Sequence, residues 1–181
     1  METGSYKGDT VEWATRHFEK VFSIELSAEL HRCCIERFKG NSRVHLMEGN
    51  STTVLNSLMP DLREKCFFWL DAHFSSRNTA CGKVSVPLLQ ELDIIGNHPI
   101  KNHIIVIDDL RLFGWKDERG LEDWGDVTIE HVTYALRKIN DRYRIFPYND
   151  TLVAAVKEDL LPFTALRLFV RKILNLIFSR K

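Results

Sequence analysis

"CFFWLDAH" (Cys66–His73) decides how the rest of the chain is read. Large apolar side chains stand side by side without the alternation of a half-exposed strand. A strand of that kind is buried on both faces, as in a parallel sheet with helices on either side. The run ends abruptly in an acid, Asp71. "HIIVIDD" (His103–Asp109) repeats the design with branched aliphatics followed by the acid pair Asp108 and Asp109.

Outward from these two runs, short apolar stretches alternate with helix-periodic ones. Toward the N-terminus, "VFSIEL" (21–26) and "RVHLMEG" (43–49) read as strands. Between them Ser27 caps a helix through Leu30, Cys34 and Phe38, which stops at Gly40. Val11, Ala14, Phe18 and Val21 recur at helical spacing after Thr10, a candidate cap. Val54, Leu55, Leu58, Met59 and Leu62 mark the helix that leads into Cys66–His73. On the other side, Ser85 and Pro87 are placed to start a helix with Leu88, Leu89, Leu92 and Ile95 on its inner face. Ile129, Val132, Leu136 and Ile139 form a further stripe, and "YRIFPYND" and "TLVAAVKED" read as two strands meeting at an Asn-Asp turn. The alternation predicts an α/β fold: a Rossmann-like, doubly wound, mostly parallel sheet with helices on both faces and a C-terminal antiparallel strand pair. One such domain spans 1–158, and 159–181 is read as a C-terminal amphipathic helix.

Composition narrows the function. The chain has 181 residues, 44% of them hydrophobic, enough for one domain with its own core. Its 25 Lys and Arg balance 25 Asp and Glu, so no general electrostatic footprint for nucleic acid is expected. Cys33, Cys34, Cys66 and Cys81 form no CxxC pair and no zinc-type spacing, which fits reduced thiols in a cytoplasmic protein. No basic segment followed by an apolar one opens the chain, so no signal peptide is read.

In doubly wound sheets, ligands bind beyond the carboxyl ends of the strands, and those positions carry a pattern here. "ETGSYKG", Glu25, "EGNS", "DAH" and "DD" follow one another, each with an acid, a small residue or both. Gly4 and Gly8 permit a sharp turn close to a ligand, with Gly8, Asp9 and Thr10 leading into a helix. Glu25 can accept two hydrogen bonds from vicinal ribose hydroxyls, and Asn50 and Ser51 stand where a base edge would be met. Plainer readings exist for each. The glycines serve a tight turn, Glu25 pairs with a lysine or an amide, and His73 is a hydrogen-bonded residue without chemistry. Asp108 and Asp109 would be a helix cap and a solvated acid, although adjacent acids after a buried strand repel unless something offsets them.

The ordered set resembles the class I S-adenosylmethionine-dependent methyltransferases, across roughly residues 2–158. Within them it looks like the branch of macrolide and aminocoumarin sugar O-methyltransferases and cephalosporin-hydroxylase-like proteins. "ETGSYKGDT" is similar to the first motif of that family and "SIE" to its ribose-binding acid. "GNS" stands at the adenine-side motif, where the family more often has aspartate. "LDAH" and "IDD" resemble its fourth and fifth strand-end motifs. The resemblance implies methyl transfer from S-adenosylmethionine to a hydroxyl of a small molecule or sugar. It assigns the cofactor to Glu2, Gly4, Ser5, Gly8, Glu25, Asn50 and Ser51. By the same resemblance Asp71, Asp108 and Asp109 would hold Mg²⁺ or another divalent cation, with His73 and Asp71 catalytic. At His73 the chain departs from the family, which places an acid there. A histidine suits either a general base near neutral pH or a softer ligand favouring Mn²⁺, Fe²⁺ or Zn²⁺.

Two features do not fit smoothly. The strand before the first motif is central in this fold, yet only Met1 precedes Glu2. The expectation is a chain shortened at its start or, alternatively, a remnant that has lost cofactor binding and acts as a binding or scaffold module. "LLPFTALRLFVRKILNLIFSRK" (160–181) has a wide apolar face interrupted by Arg167, Arg171, Lys172 and Asn175. That pattern suits a helix packed on the domain or a partner subunit, or one lying peripherally on a membrane surface, rather than a spanning one. The segment holding Trp115 and Trp124 reads as a lid over the substrate or as a plain surface loop.

Overall fold

A computed structural model describes residues 1–73, 85–116, 118 and 122–160. Its centre is a seven-stranded sheet built from β1 (Glu2–Thr3), β2 (Val21–Glu25), β3 (Val44–Glu48), β4 (Phe67–Leu70), β5 (Ile104–Ile107), β6 (Arg144–Tyr148) and β7 (Thr151–Ala155). The strand order is β3-β2-β1-β4-β5-β7-β6. All pairs are parallel except those made by β7, which runs antiparallel to both β5 and β6. This is the doubly wound arrangement expected from the sequence, including the C-terminal antiparallel pair.

The apolar run of β4 packs both ways. Phe68 and Leu70 enter the large cluster formed with α3 (Ser51–Leu58), α4 (Leu88–Asn97) and α5 (Ile129–Ile139). Trp69 points to the opposite face and meets Trp13 of α1 (Asp9–Ala14), together with Val106 and Val153. β5 alternates in the same way, with Ile105 and Ile107 on the first face and Val106 on the second. A period of two with both phases apolar therefore builds two cores on one sheet. α2 (Ala28–Arg37) lies beside α1, where a Cβ on Gly8 would meet the Phe38 ring just past its end, at 2.7 Å.

β1 is the central strand, and it is two residues long. Met1 extends the pairing, since its ammonium donates to the Phe67 carbonyl and its own carbonyl accepts from Trp69 N–H, both at 2.9 Å. The central place in the sheet is thus filled by Met1 and this two-residue strand.

Several local expectations change. α1 is capped by Gly8, in a left-handed conformation with φ 82°, rather than by Thr10. It ends at Ala14, so Phe18 and Val21 lie beyond it. Ser85 does not cap α4; its hydroxyl accepts from the Asp123 N–H at 3.2 Å, and Pro87 occupies the cap position. Ser27 does cap α2, through the Leu30 N–H. The β6–β7 turn carries Asn149 at φ 51°, a conformation asparagine tolerates better than most residues. Cys81 and the helix expected over the C-terminal segment lie outside the described residues, apart from Lys157–Leu160, a single 3-10 turn. Among the described residues no helix is long and apolar enough to cross a membrane.

Candidate active site

The loop after β1 is held in place by the end of β2. Gly4 N–H and Ser5 N–H both donate to the Ile24 carbonyl, at 2.9 and 3.2 Å. Gly4 has φ 88°, and a Cβ there would lie 2.5 Å from the Asp71 carbonyl oxygen. Only glycine lets this loop pass so close to the end of β4. Glu25, buried at the end of β2, accepts from Tyr6 N–H through Oε2 and from Ser27 N–H through Oε1, both at 2.8 Å. A carboxylate offers about four acceptor sites, so Glu25 holds the first loop and keeps capacity for the hydroxyls of a ligand. This joins the ligand reading and the plainer one instead of choosing between them.

Ser5 and Glu2 are joined through Ser23. The Ser23 hydroxyl lies 2.5 Å from the Ser5 hydroxyl and donates to Glu2 Oε2. Burial pushes the Glu2 carboxyl up to about 7. Asn50 caps α3, its Oδ1 accepting from Thr52 N–H, Thr53 N–H and the Thr52 hydroxyl. Its amide group, a donor, is what remains for a base edge. Ser51 is buried in the first turn of α3.

Beyond β4 and β5 the acids gather around His73. Its Nδ1 lies 3.4 Å from Asp71 Oδ1, and its Nε2 lies 3.3 Å from Asp109 Oδ2 and 3.8 Å from Glu122 Oε1. Burial on its own would lower the pKa of this imidazole. The hydrogen bond and charge of Asp71, with Asp109 and Glu122 behind, outweigh burial and raise it. Trp124, buried, packs beside the ring with centroids 5.3 Å apart and donates its indole N–H to Glu122. Arg111 pairs with both Asp109 and Asp150. Asp109 itself has φ 57°, an unusual conformation for a residue other than glycine and one often found where side chains are aimed for chemistry.

Donor atoms of Asp71, His73 and Asp109 all lie within 4.8 Å of one another, the spacing of groups that can share an ion. Asp108 is outside that set. Its Oδ1 accepts from the Asp109 N–H at 2.9 Å, and burial, with Asp71 and Asp109 adding charge, raises its pKa to about 8. Two residues in this region escaped the sequence reading. Glu122 has no flanking pattern that would mark it. Glu91 does, because Leu88, Glu91, Leu92 and Ile95 form the buried face of α4, and an acid within such a stripe is conspicuous.

No protein-family profile matches the sequence, and no curated protein matches it. Solved structures do. A Podospora anserina methyltransferase, PaMTH1, with bound SAH superposes over 86% of this chain and 69% of its own, with TM-score 0.54 and 18% identity. A Streptococcus mutans protein of proposed methyltransferase function, also with SAH, matches over 86% and 87%, with TM-score 0.56 and 10% identity. A proposed rRNA methylase of Clostridium thermocellum matches over 84% and 85%, with TM-score 0.54 and 13% identity. The fold is one that these methyltransferases share.

Proposed function

We propose that the chain is an S-adenosylmethionine-dependent methyltransferase acting on a hydroxyl of a small molecule. One observation carries the reading: a first loop that only glycine at position 4 lets pass the end of β4, clamped by Glu25, faces a titratable cluster across the carboxyl end of a methyltransferase-type sheet. Glu2, Gly4, Ser5, Gly8, Glu25, Asn50 and Ser51 form the cofactor side. Glu25 receives ribose hydroxyls on its remaining lone pairs, and the Asn50 amide donates to the base. When bound, the cofactor would supply an electrophilic methyl group to the acceptor oxygen. The acceptor's proton passes to His73, oriented by Asp71. Because the surrounding carboxylates raise the pKa of His73, the base form is favoured only above ordinary histidine pH values.

A second reading of the same groups is favoured by the close approach of Asp71, His73 and Asp109. With two carboxylates and one imidazole they suit Mn²⁺, Fe²⁺ or Zn²⁺ better than Mg²⁺. A sugar diol is the acceptor that such an ion would orient. A contact of residues 160–181 with a subunit or membrane surface belongs to this proposal too, resting on their basic amphipathic pattern alone.

Calorimetric titration with S-adenosylhomocysteine, alone and with Mg²⁺ or Mn²⁺, tests the reading. Micromolar affinity is expected, falling about a hundredfold in Glu25→Ala, since two charge-assisted hydrogen bonds of about 1.5 kcal/mol each are lost with it. Binding that needs Mn²⁺, or tightens with it, supports the metal reading. No binding under any condition leaves the scaffold alternative.

A further inference from the structure

Glu91 is the most buried charged-type side chain beneath the site, at 1% exposure, and the reaction as described does not use it. From the first turn of α4 it reaches two neighbouring segments. Thr3 Oγ1 of β1 donates to its Oε2 at 3.3 Å, and the hydroxyl of Ser51, at the start of α3, acts on the same carboxyl. Oε1 has no hydrogen-bond partner at normal distance among the described residues. A helix that only packed would carry an aliphatic at this point in the Leu88, Leu92, Ile95 stripe, because a buried carboxyl with an unmet oxygen is costly to retain.

We propose that Glu91 is a positioning residue of the cofactor crevice, bracing the end of β1 through Thr3 and the start of α3 through Ser51 so that the two loops stand at the separation an adenosyl ligand requires. The two loops concerned carry candidate cofactor groups on either side: Gly4 and Ser5 follow Thr3, and Asn50 precedes Ser51. Below about pH 7 the brace is a neutral acid. Burial, with the charge of Asp71 adding to it, holds the carboxyl up to about 7, and Asp71 is the charged group that bears on it while Thr3 and Ser51 supply the polar contacts. An amide can therefore replace it, whereas an aliphatic leaves both hydroxyls without their partner. The inference rests on the proposed function, because it presumes an adenosyl ligand.

The test is S-adenosylhomocysteine affinity in wild type, Glu91→Gln, Glu91→Leu, Ser51→Ala and the Glu91→Leu/Ser51→Ala double variant. Each is titrated well below its own unligated melting temperature. Glu91→Gln is expected to bind within about threefold of wild type and Glu91→Leu at least tenfold more weakly. Ser51→Ala should then weaken binding less in the Glu91→Leu background than on its own, since the brace the two share is already gone. If Glu91→Leu does not fold, Thr3→Val removes one arm of the brace without changing size and is expected to weaken binding several-fold. Glu91→Leu, or in its place Thr3→Val, binding like wild type with only the melting temperature lowered would overturn the proposal. So would full additivity of the Glu91 and Ser51 effects. Wild-type protein that binds no S-adenosylhomocysteine refutes the proposed function first, a result visible before any variant is made.

Discussion

At the amino end of the sheet, His98 and His103 lie buried side by side, with Nδ1 of the first 3.0 Å from Nε2 of the second. The Cys66 N–H donates to His103 Nδ1 at 3.0 Å, which leaves the His103 proton on Nε2, facing His98. His98 Nε2 then donates to the Leu62 carbonyl at 3.1 Å. All four ring nitrogens are partnered. At the carboxyl end, Asp71, His73, Asp108, Asp109 and Glu122 crowd together, with the buried Glu91 nearby and one of its oxygens unmet. The His98–His103 pair meets its polar burial internally; the group at the carboxyl end leaves charge and hydrogen-bonding capacity for something else to meet. That difference, more than the number of ionisable groups, is what makes the carboxyl-end cluster the candidate site.

The largest effect that can break this comparison is on turnover. His73→Gln keeps a hydrogen-bonding side chain beside Asp71 but removes the base, so kcat for methyl transfer should fall about 10²–10⁴-fold with S-adenosylhomocysteine affinity nearly unchanged. In wild type, kcat should rise with pH through a value above that of an ordinary histidine, because the surrounding carboxylates raise the His73 pKa. A flat pH–rate profile would remove His73 from the chemistry.

Gly4→Ala comes next. At φ 88°, with the Asp71 carbonyl 2.5 Å from the new Cβ, the loop must move. Strain of this kind costs about 1–3 kcal/mol, and cofactor affinity should drop by at least tenfold. The corresponding change at Gly40, where φ is 81° and nothing stands within 4 Å of a Cβ, should leave affinity unchanged.

Smaller, but sharper in its logic, is the opposed pH dependence of the two ends. Burial, with the charges of His98, Lys65 and Lys101 adding, lowers His103 to about 4. Its folded pKa lies below the unfolded value, so that end is fully stable above about pH 6.5 and loses stability as pH falls toward 4. The buried acids run the other way. With Glu2 and Glu91 raised to about 7 and Asp108 to about 8, their contribution is complete below the ordinary carboxyl range and is lost as pH rises to 7–8. Urea midpoints measured from pH 4 to 8 should fall at both extremes. His103→Gln should flatten the acid limb and leave the alkaline one, while Glu91→Gln should soften the alkaline limb and leave the acid one.

How much of this could be read in advance follows from what each side chain must do. Double-sided burial of β4 and β5 was written in Phe67–Leu70 and Ile104–Ile107, because strands between two helical layers have no polar face to show. Gly4, Gly8 and Glu25 were legible as a set, since their order along the chain matches the order of strand ends. The start of α1 differs from the sequence expectation because a left-handed glycine can cap a helix as well as a threonine can. β1 escaped notice because two central residues have no periodicity to detect. The grouping of His73 with Glu122 and the separation of Asp108 from the Asp71–His73–Asp109 set depend on loop geometry after β5, where Asp109 turns left-handed. Residue spacing carries no information about that turn. The His98–His103 pair likewise joins the end of α4 to the start of β5, and only the fold brings its four ring nitrogens to their partners.

Amide hydrogen exchange with and without saturating S-adenosylhomocysteine tests the central claim most directly, because it reads both ends of the sheet at once. Added protection is expected at residues 4–10, 25–27 and 50–53, with residues 98–104 unchanged. Protection that is absent, or that appears around His98 and His103 instead, would contradict it.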